Sequence, residues 1–411
     1  MLIRLYLKKY LGLVLIFIYT TACGQVTEDE LLIQRLMLTK PDKFRPYLLE
    51  PEKYEVQIIY TQVRRDSLNR PHLQEFTFAP NPQKYFNPAS LAKLPLVLLS
   101  LEKLHEINQP NIHKFTRIGY GADTPCQIPL IGNNLNEKEY PCLGRFIEKI
   151  LLVSDNDSYT RLYEFLGQRY IQEKMNEKCY EGVKIIRRFN ECDTLQNRYT
   201  NPLYFYNESG QVIYSQKPIF NPTAYYPFKS TWQRKSSISN IPILNPDYEN
   251  HIPLKAAHQM LQAIILPEAL PEHQRFNLKA DDYQLLRRSL GAYPREGKLS
   301  TYLEKDGYND TYKKYLYFGR SDASLANLRS FNVVGWWAGY VSDVAYFVDY
   351  QRGIEFFLSA VISTNQVSLS EGDGYQKVSF PFMRDLGKLI YEYEIQKQSK
   401  RKANLEYLKF Y

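Results

Sequence analysis

Ser90-Leu91-Ala92-Lys93 sets a hydroxyl and an amine three residues apart. Three residues make about one helical turn, so the two side chains share a face. At a helix N-terminus, Ser90 would sit where the macrodipole favours negative charge. A desolvated lysine gives up its proton readily and can then take one from a hydroxyl, which makes Ser90 a nucleophile. The same spacing recurs at Ser100–Lys103 and Ser399–Lys402, both read as solvated surface pairs. Only Ser90 follows a predicted hairpin and opens an apolar helix. Further on stands Ser154-Asp155-Asn156, in a short loop between two predicted helices. A hydroxyl and an amide there could relay a proton and hold a substrate amide. The same residue types also serve as helix N-caps.

The elements that must position these residues follow from the hydrophobic pattern. Glu28 to Lys40 reads as a short helix stopped by Pro41. Val56 to Val63 is rich in β-branched residues, and His72 to Phe78 alternates polar and apolar, which predicts two strands joined as a hairpin. From Asn87 the period changes. Leu91, Leu94, Val97, Leu98, Leu101 and Leu104 fall on one helical face, with the helix ending before Pro110. Further helices are predicted over 143–152, 158–166, 253–265 and 280–290. The stretch 195–250 is rich in Asn, Tyr and Pro and lacks helical periodicity. Strands return at Phe331–Gly335, Tyr340–Tyr350 and Ile354–Ser363, followed by an amphipathic helix from Phe380 to Gln398. Terminal segments that share one antiparallel sheet, interrupted by an all-helical lobe, define an α+β architecture.

Arg4, Lys8 and Lys9 precede an apolar run, Leu11 to Ile18, and then Thr20-Thr21-Ala22-Cys23. A basic head, a short apolar core and small residues before a cleavage point describe an export signal over residues 1–22. The run is too short to span a bilayer, which needs about 20 residues. Cys23 is expected to carry a lipid and anchor the protein to a bacterial membrane, facing the periplasm or the exterior. Without the three signal cations the net charge falls from +8 to +5. The basic residues are scattered, apart from the run Lys397 to Lys402, which reads as a solvated helix end. No nucleic-acid interface is expected. Four cysteines remain, Cys126, Cys142, Cys179 and Cys192. An exported chain can oxidise them in any of three pairings, of which Cys126–Cys142 with Cys179–Cys192 is the local choice. No histidine or cysteine spacing suggests a metal, and no cofactor is expected. The parts are then a linker with a helix (23–53), a main domain (54–398) with insertions at about 203–250 and 300–330, and a tail (399–411).

Taken together, Tyr85 to Lys93 and Ser154-Asp155-Asn156 resemble the first two motifs of class A β-lactamases and the wider penicillin-binding serine-hydrolase superfamily. The resemblance follows the order of elements from about residue 54 to 398, but only the first two motifs match closely. It implies a β-lactamase/transpeptidase-like fold. It implies Ser90 as the acylated nucleophile, Lys93 as its base, Ser154 as the proton shuttle and Asn156 as the substrate-amide clamp. The Ser90 N–H and the edge strand near Trp336 would form the oxyanion hole. The family's third motif, Lys-Thr-Gly, falls on Val333-Val334-Gly335. Gly335 is kept and the lysine is not; Arg198 and Arg329 are the candidate replacement cations. Glu191, with Asp193 as its rival, stands where the family carries the carboxylate that activates the deacylating water. The implied substrate is a β-lactam or a peptidoglycan-like amide or ester, attacked by a monomeric serine hydrolase. Two alternatives stay open: a catalytically degenerate protein that binds a cell-envelope ligand, and a slow cell-wall D,D-peptidase.

Overall fold

A computed structural model describes residues 31–134, 139–224, 245–297, 307–320, 327–397 and 402–410. The predicted signal, Cys23, most of the basic run and parts of both insertions lie outside these residues. The chain opens with two short helices, α1 (Leu32–Leu38) and α2 (Pro41–Leu49). Pro41 was expected to end the first helix; it opens the second, at a first-turn position where its missing N–H costs nothing.

Strands β1 (Gln57–Arg65) and β2 (Pro71–Phe78) form the expected antiparallel hairpin. Near the other end come β6 (Leu328–Trp337), β7 (Tyr340–Asp349) and β8 (Ile354–Ser363). They complete a five-stranded sheet of order β2-β1-β8-β7-β6, with β1 and β8 antiparallel. The N- and C-terminal segments therefore share one sheet, and β6 is an edge. A second sheet, β3 (Arg117–Tyr120), β4 (Leu203–Tyr206) and β5 (Val212–Gln216), was not expected.

The main sheet has two covered faces. Phe331, Val333 and Val344 pack with the helical lobe. Val334, Val341 and Ala345 pack on the opposite side, with α1, α2 and the C-terminal helix α9 (Phe380–Gln396). Period-2 alternation sends successive side chains into different cores, which is why β7 and β8 are buried along their whole length.

The lobe is built from α3 (Lys93–Ile107), α4 (Leu143–Val153), α5 (Asn156–Leu166), α6 (Gln168–Glu177), α7 (Leu254–Ile265) and α8 (Ala280–Gly291). Helix α3 is buried from Lys93 through Leu104, the mark of a helix surrounded by others. That burial corrects one expectation. Ser100 and Lys103 are not a surface pair: both are buried, and Lys103 donates to the Phe165 carbonyl at 2.5 Å. The end of the chain also packs on the body, with Leu405 and Leu408 joining the lobe core.

The cysteines depart from the local pairing. Cys126 is bonded to Cys192, 66 residues away, while Cys142 and Cys179 are free. The bond ties the segment after β3 to the loop that follows α6.

Candidate active site

Ser90 lies on a short 3-10 turn, Ala89–Ala92, that runs directly into α3. The turn is reached through strain: Ala89 has φ +44°. An L-residue pays about 1–2 kcal/mol for the left-handed region, so the surroundings must hold it there. Asn87 Oδ1 does part of this by accepting the Ala89 N–H at 2.8 Å. Gly335 does another part. A Cβ at Gly335 would lie 2.3 Å from the Pro88 carbonyl oxygen and 2.6 Å from Ser342 Oγ. Only glycine lets the edge strand β6 pass this close to the nucleophile turn. Gly335 thus acts through its lack of a side chain, and it is not among the residues lining the cleft.

The Ser-Asp-Asn triplet divides its labour. Asp155 alone caps α5, accepting the Ser158 N–H at 2.7 Å. Ser154 sits at the end of α4 with φ +63°, a second left-handed non-glycine residue at the site. Its side chain and that of Asn156 turn to Lys93.

Lys93 Nζ lies 2.8 Å from Ser90 Oγ, 3.0 Å from Ser154 Oγ and 2.7 Å from Asn156 Oδ1, and it also contacts the Ser154 carbonyl oxygen. Four oxygens surround an amine that has three protons at most. As a neutral amine it has two to give, to the Ser154 carbonyl and Asn156 Oδ1. Its lone pair then faces the two hydroxyls. Burial favours that state, pushing the Lys93 ammonium down to about 7, against a smaller opposing pull from Asp155. Four of the residues singled out in the sequence are therefore brought together: Ser90, Lys93, Ser154 and Asn156.

Ser90 and Asn156 open on a cleft of about 240 Å³, bordered by Trp336, Trp337, Phe189, Arg187 and Glu249. Trp336 and Trp337 stand at the end of β6 where the chain turns into β7, and remain 39% and 43% exposed. An edge strand leaves every second N–H without a partner in the sheet, as an oxyanion hole requires.

Other expectations are redirected. Glu191 is exposed and does not line the cleft. Asp193 is exposed as well, and its carboxylate accepts the Gln196 N–H at 2.7 Å. The carboxylate that does border the cleft is Glu249, which accepts from Arg187 Nη1 at 2.7 Å and is shifted upward by burial. Two residues before Glu191, Phe189 lays its ring 5.3 Å from Lys93 Nζ and stacks on Tyr159 at 3.9 Å. Arg198 donates to the Asn221 carbonyl and Arg329 pairs with Glu296; neither borders the cleft. Arg187, Phe189 and Glu249 carried no motif; only tertiary packing makes them neighbours of Ser90.

The loop that carries Phe189 is fixed from beneath. Arg188 is fully buried and donates to Glu164 at 3.2 Å and to the carbonyls of Gln196 and Tyr199. Glu164 also accepts from Arg161 at 3.1 Å.

No family model matches the chain, and no curated protein matches it. Solved structures do. The extended-spectrum β-lactamase TLA-1 superposes with a TM-score of 0.51 at 12% identity, over 88% of this chain and 99% of that one. A β-lactamase from Burkholderia phymatum gives 0.48 at 11% identity, covering 87% and 98%. One from Sphaerobacter thermophilus gives 0.46 at 12%, covering 86% and 96%. The chain has the β-lactamase-like fold.

Proposed function

We propose that the protein is a serine hydrolase that forms an acyl-enzyme on Ser90 from a β-lactam or a related amide or ester, and releases it slowly. The observation that carries this reading is the 2.8 Å approach of a buried lysine to Ser90 Oγ at the mouth of the cleft. Neutral Lys93 takes the hydroxyl proton as Oγ bonds to the substrate carbonyl carbon. The oxyanion so formed points to the Ser90 N–H and the β6 edge. The carbon–nitrogen bond then breaks, and the leaving nitrogen receives the proton from Lys93 through the Ser154 hydroxyl. Asn156 is positioned to hold a substrate amide.

Slow release rests on two features. Phe189 puts an apolar ring beside Lys93, and the one carboxylate among the described cleft-lining residues, Glu249, is occupied by Arg187. Neither arrangement favours a water poised to attack the ester.

The test is intact-mass measurement of the protein during incubation with benzylpenicillin. An adduct that forms within minutes, persists for hours and is missing in Ser90→Ala is expected. Absence of any adduct from several β-lactams and from a fluorophosphonate would sink the reading. A ligand-binding role without chemistry is favoured by one observation, the apolar Val333 on β6, and is distinguished by ligand binding that survives Ser90→Ala unchanged.

We also propose export and lipid anchoring at Cys23. The signal-like residues 1–22 support it, and so does the Cys126–Cys192 bond, which suits an oxidising compartment. Metabolic labelling with a fatty acid, lost in Cys23→Ser, is the expected result.

A further inference from the structure

Lys313 and Lys314 are consecutive and almost entirely buried, 4% and 1% exposed. Among the described residues no carboxylate lies within ion-pair distance of either. An ammonium buried without a counterion is costly, so each must repay its place through specific contacts. Lys314 has a structural account. It reaches the Leu290 carbonyl at 3.3 Å, the Ser330 carbonyl at 2.7 Å and Asn332 Oδ1 at 3.0 Å, tying the end of α8 to β6. Lys313 has no such account. It donates only to the Asn332 carbonyl, at 2.9 Å, among the described residues.

The segment that carries Lys313 is clasped to the strand. Asn332 Nδ2 returns a hydrogen bond to the Lys313 carbonyl at 2.7 Å and gives another to Asp343 Oδ1 at 2.9 Å. Asp343 Oδ2 accepts the N–H groups of Tyr315 and Leu316 at 3.0 and 2.9 Å. These contacts fix the Lys313 ammonium against the residue that precedes Val333. Three residues further along the strand, Gly335 touches the turn that carries Ser90.

We propose that Lys313 is the second cation of the Ser90 site, delivered across β6 from the preceding segment in place of the side chain that Val333 cannot supply. It is a positioning residue. It acts through Lys93, whose charge it opposes, and so keeps that amine ready to accept a proton. This rests on the reading of Ser90 as nucleophile.

The surrounding charges agree. Lys93 feels Asp155, which favours its protonation, and Lys313, which disfavours it. Lys313 feels Asp343, itself raised to about 6 by burial, while the neighbouring Lys314 is lowered by burial and by Lys313 and Arg329, against Asp343 and Glu296. Burial lowers both ammonium groups, Lys313 to about 8 and Lys93 to about 7.

The experiment is an NMR titration of the protein labelled with ¹³Cε-lysine, with Lys93 and Lys313 assigned by substitution. In Lys313→Gln, which keeps a donor for the Asn332 carbonyl, the Lys93 midpoint should rise by about one unit. Labelling of Ser90 by a fluorophosphonate should then slow roughly tenfold below neutral pH, and Lys313→Arg should restore both. Lys313→Met, which fills the buried space without a charge, is the second variant should Lys313→Gln fail to fold, and it too should raise the Lys93 midpoint. Unmoved midpoints in folded variants overturn the proposal. A wild-type protein that never reacts with the probe refutes the Ser90 reading instead, while the titrations still report whether the two lysines interact.

Discussion

Gly335 and Pro88 are in backbone contact: no side chain fits between the edge strand and the turn that presents Ser90. The obstruction is a carbonyl oxygen, which cannot swing aside as a flexible side chain would. In Gly335→Ala either β6 or the nucleophile turn must therefore shift. A stability loss of about 1–3 kcal/mol is expected in urea unfolding, from overpacking. Labelling of Ser90 should fall much further than stability, because the shift is centred on the site. Wild-type labelling rates in the alanine variant would show that this contact does not set the geometry.

Acylation should depend on pH through Lys93. Its neutral form is the base, and burial lowers its value to about 7. The rate of adduct formation should rise with pH, reach half of its plateau near pH 7, and fall about tenfold per unit on the acid side. A rate that stays flat from pH 5 to 9 would remove Lys93 from the role of base.

The buried trio of Arg161, Glu164 and Arg188 holds the loop that bears Phe189. Glu164→Gln would leave two guanidinium groups buried without their shared anion. Breaking a buried pair from one side costs about 3–5 kcal/mol. The denaturation midpoint should drop accordingly, and hydrogen exchange should quicken between residues 186 and 202. Unchanged exchange in that loop would mean that something other than this trio secures it.

Cys192→Ser should destabilise the chain by about 4 kcal/mol, as expected for opening a loop of 66 residues. Cys126→Ser should behave identically, and the double variant should add nothing. Adding Cys142→Ser to any of these should leave the number of titratable thiols one lower, because Cys142 is already free.

The sequence reveals what is local. Ser90 and Lys93 share a helical turn, and the alternation in β2 and the long period of α3 can be counted along the chain. The Ser-Asp-Asn triplet was readable too, although its alternative as a cap proved true of Asp155 alone. What stayed hidden depends on contacts between distant segments. Cys126 meets Cys192 only after β3 and the loop following α6 are packed together. Phe189 reaches Lys93 because the Arg188 network folds its loop inward, and Glu249 reaches the cleft as the ion-pair partner of Arg187. Ser100–Lys103 looked like a polar pair and is buried, since α3 is enclosed on every side. Lys313 offered no motif at all, because its partner is a backbone carbonyl.

That carbonyl has one more consequence. Lys313 occupies the Asn332 oxygen, and the strand ends at Trp337, where the chain turns back through Ala338 and Gly339. Between these two points the edge of β6 has five residues to offer. At about 3.3 Å per residue, an incoming peptide has at most roughly 13–16 Å of strand to align with. A chain that paired with this edge would meet about four or five residues of it, and a longer one would have to leave the sheet at one end.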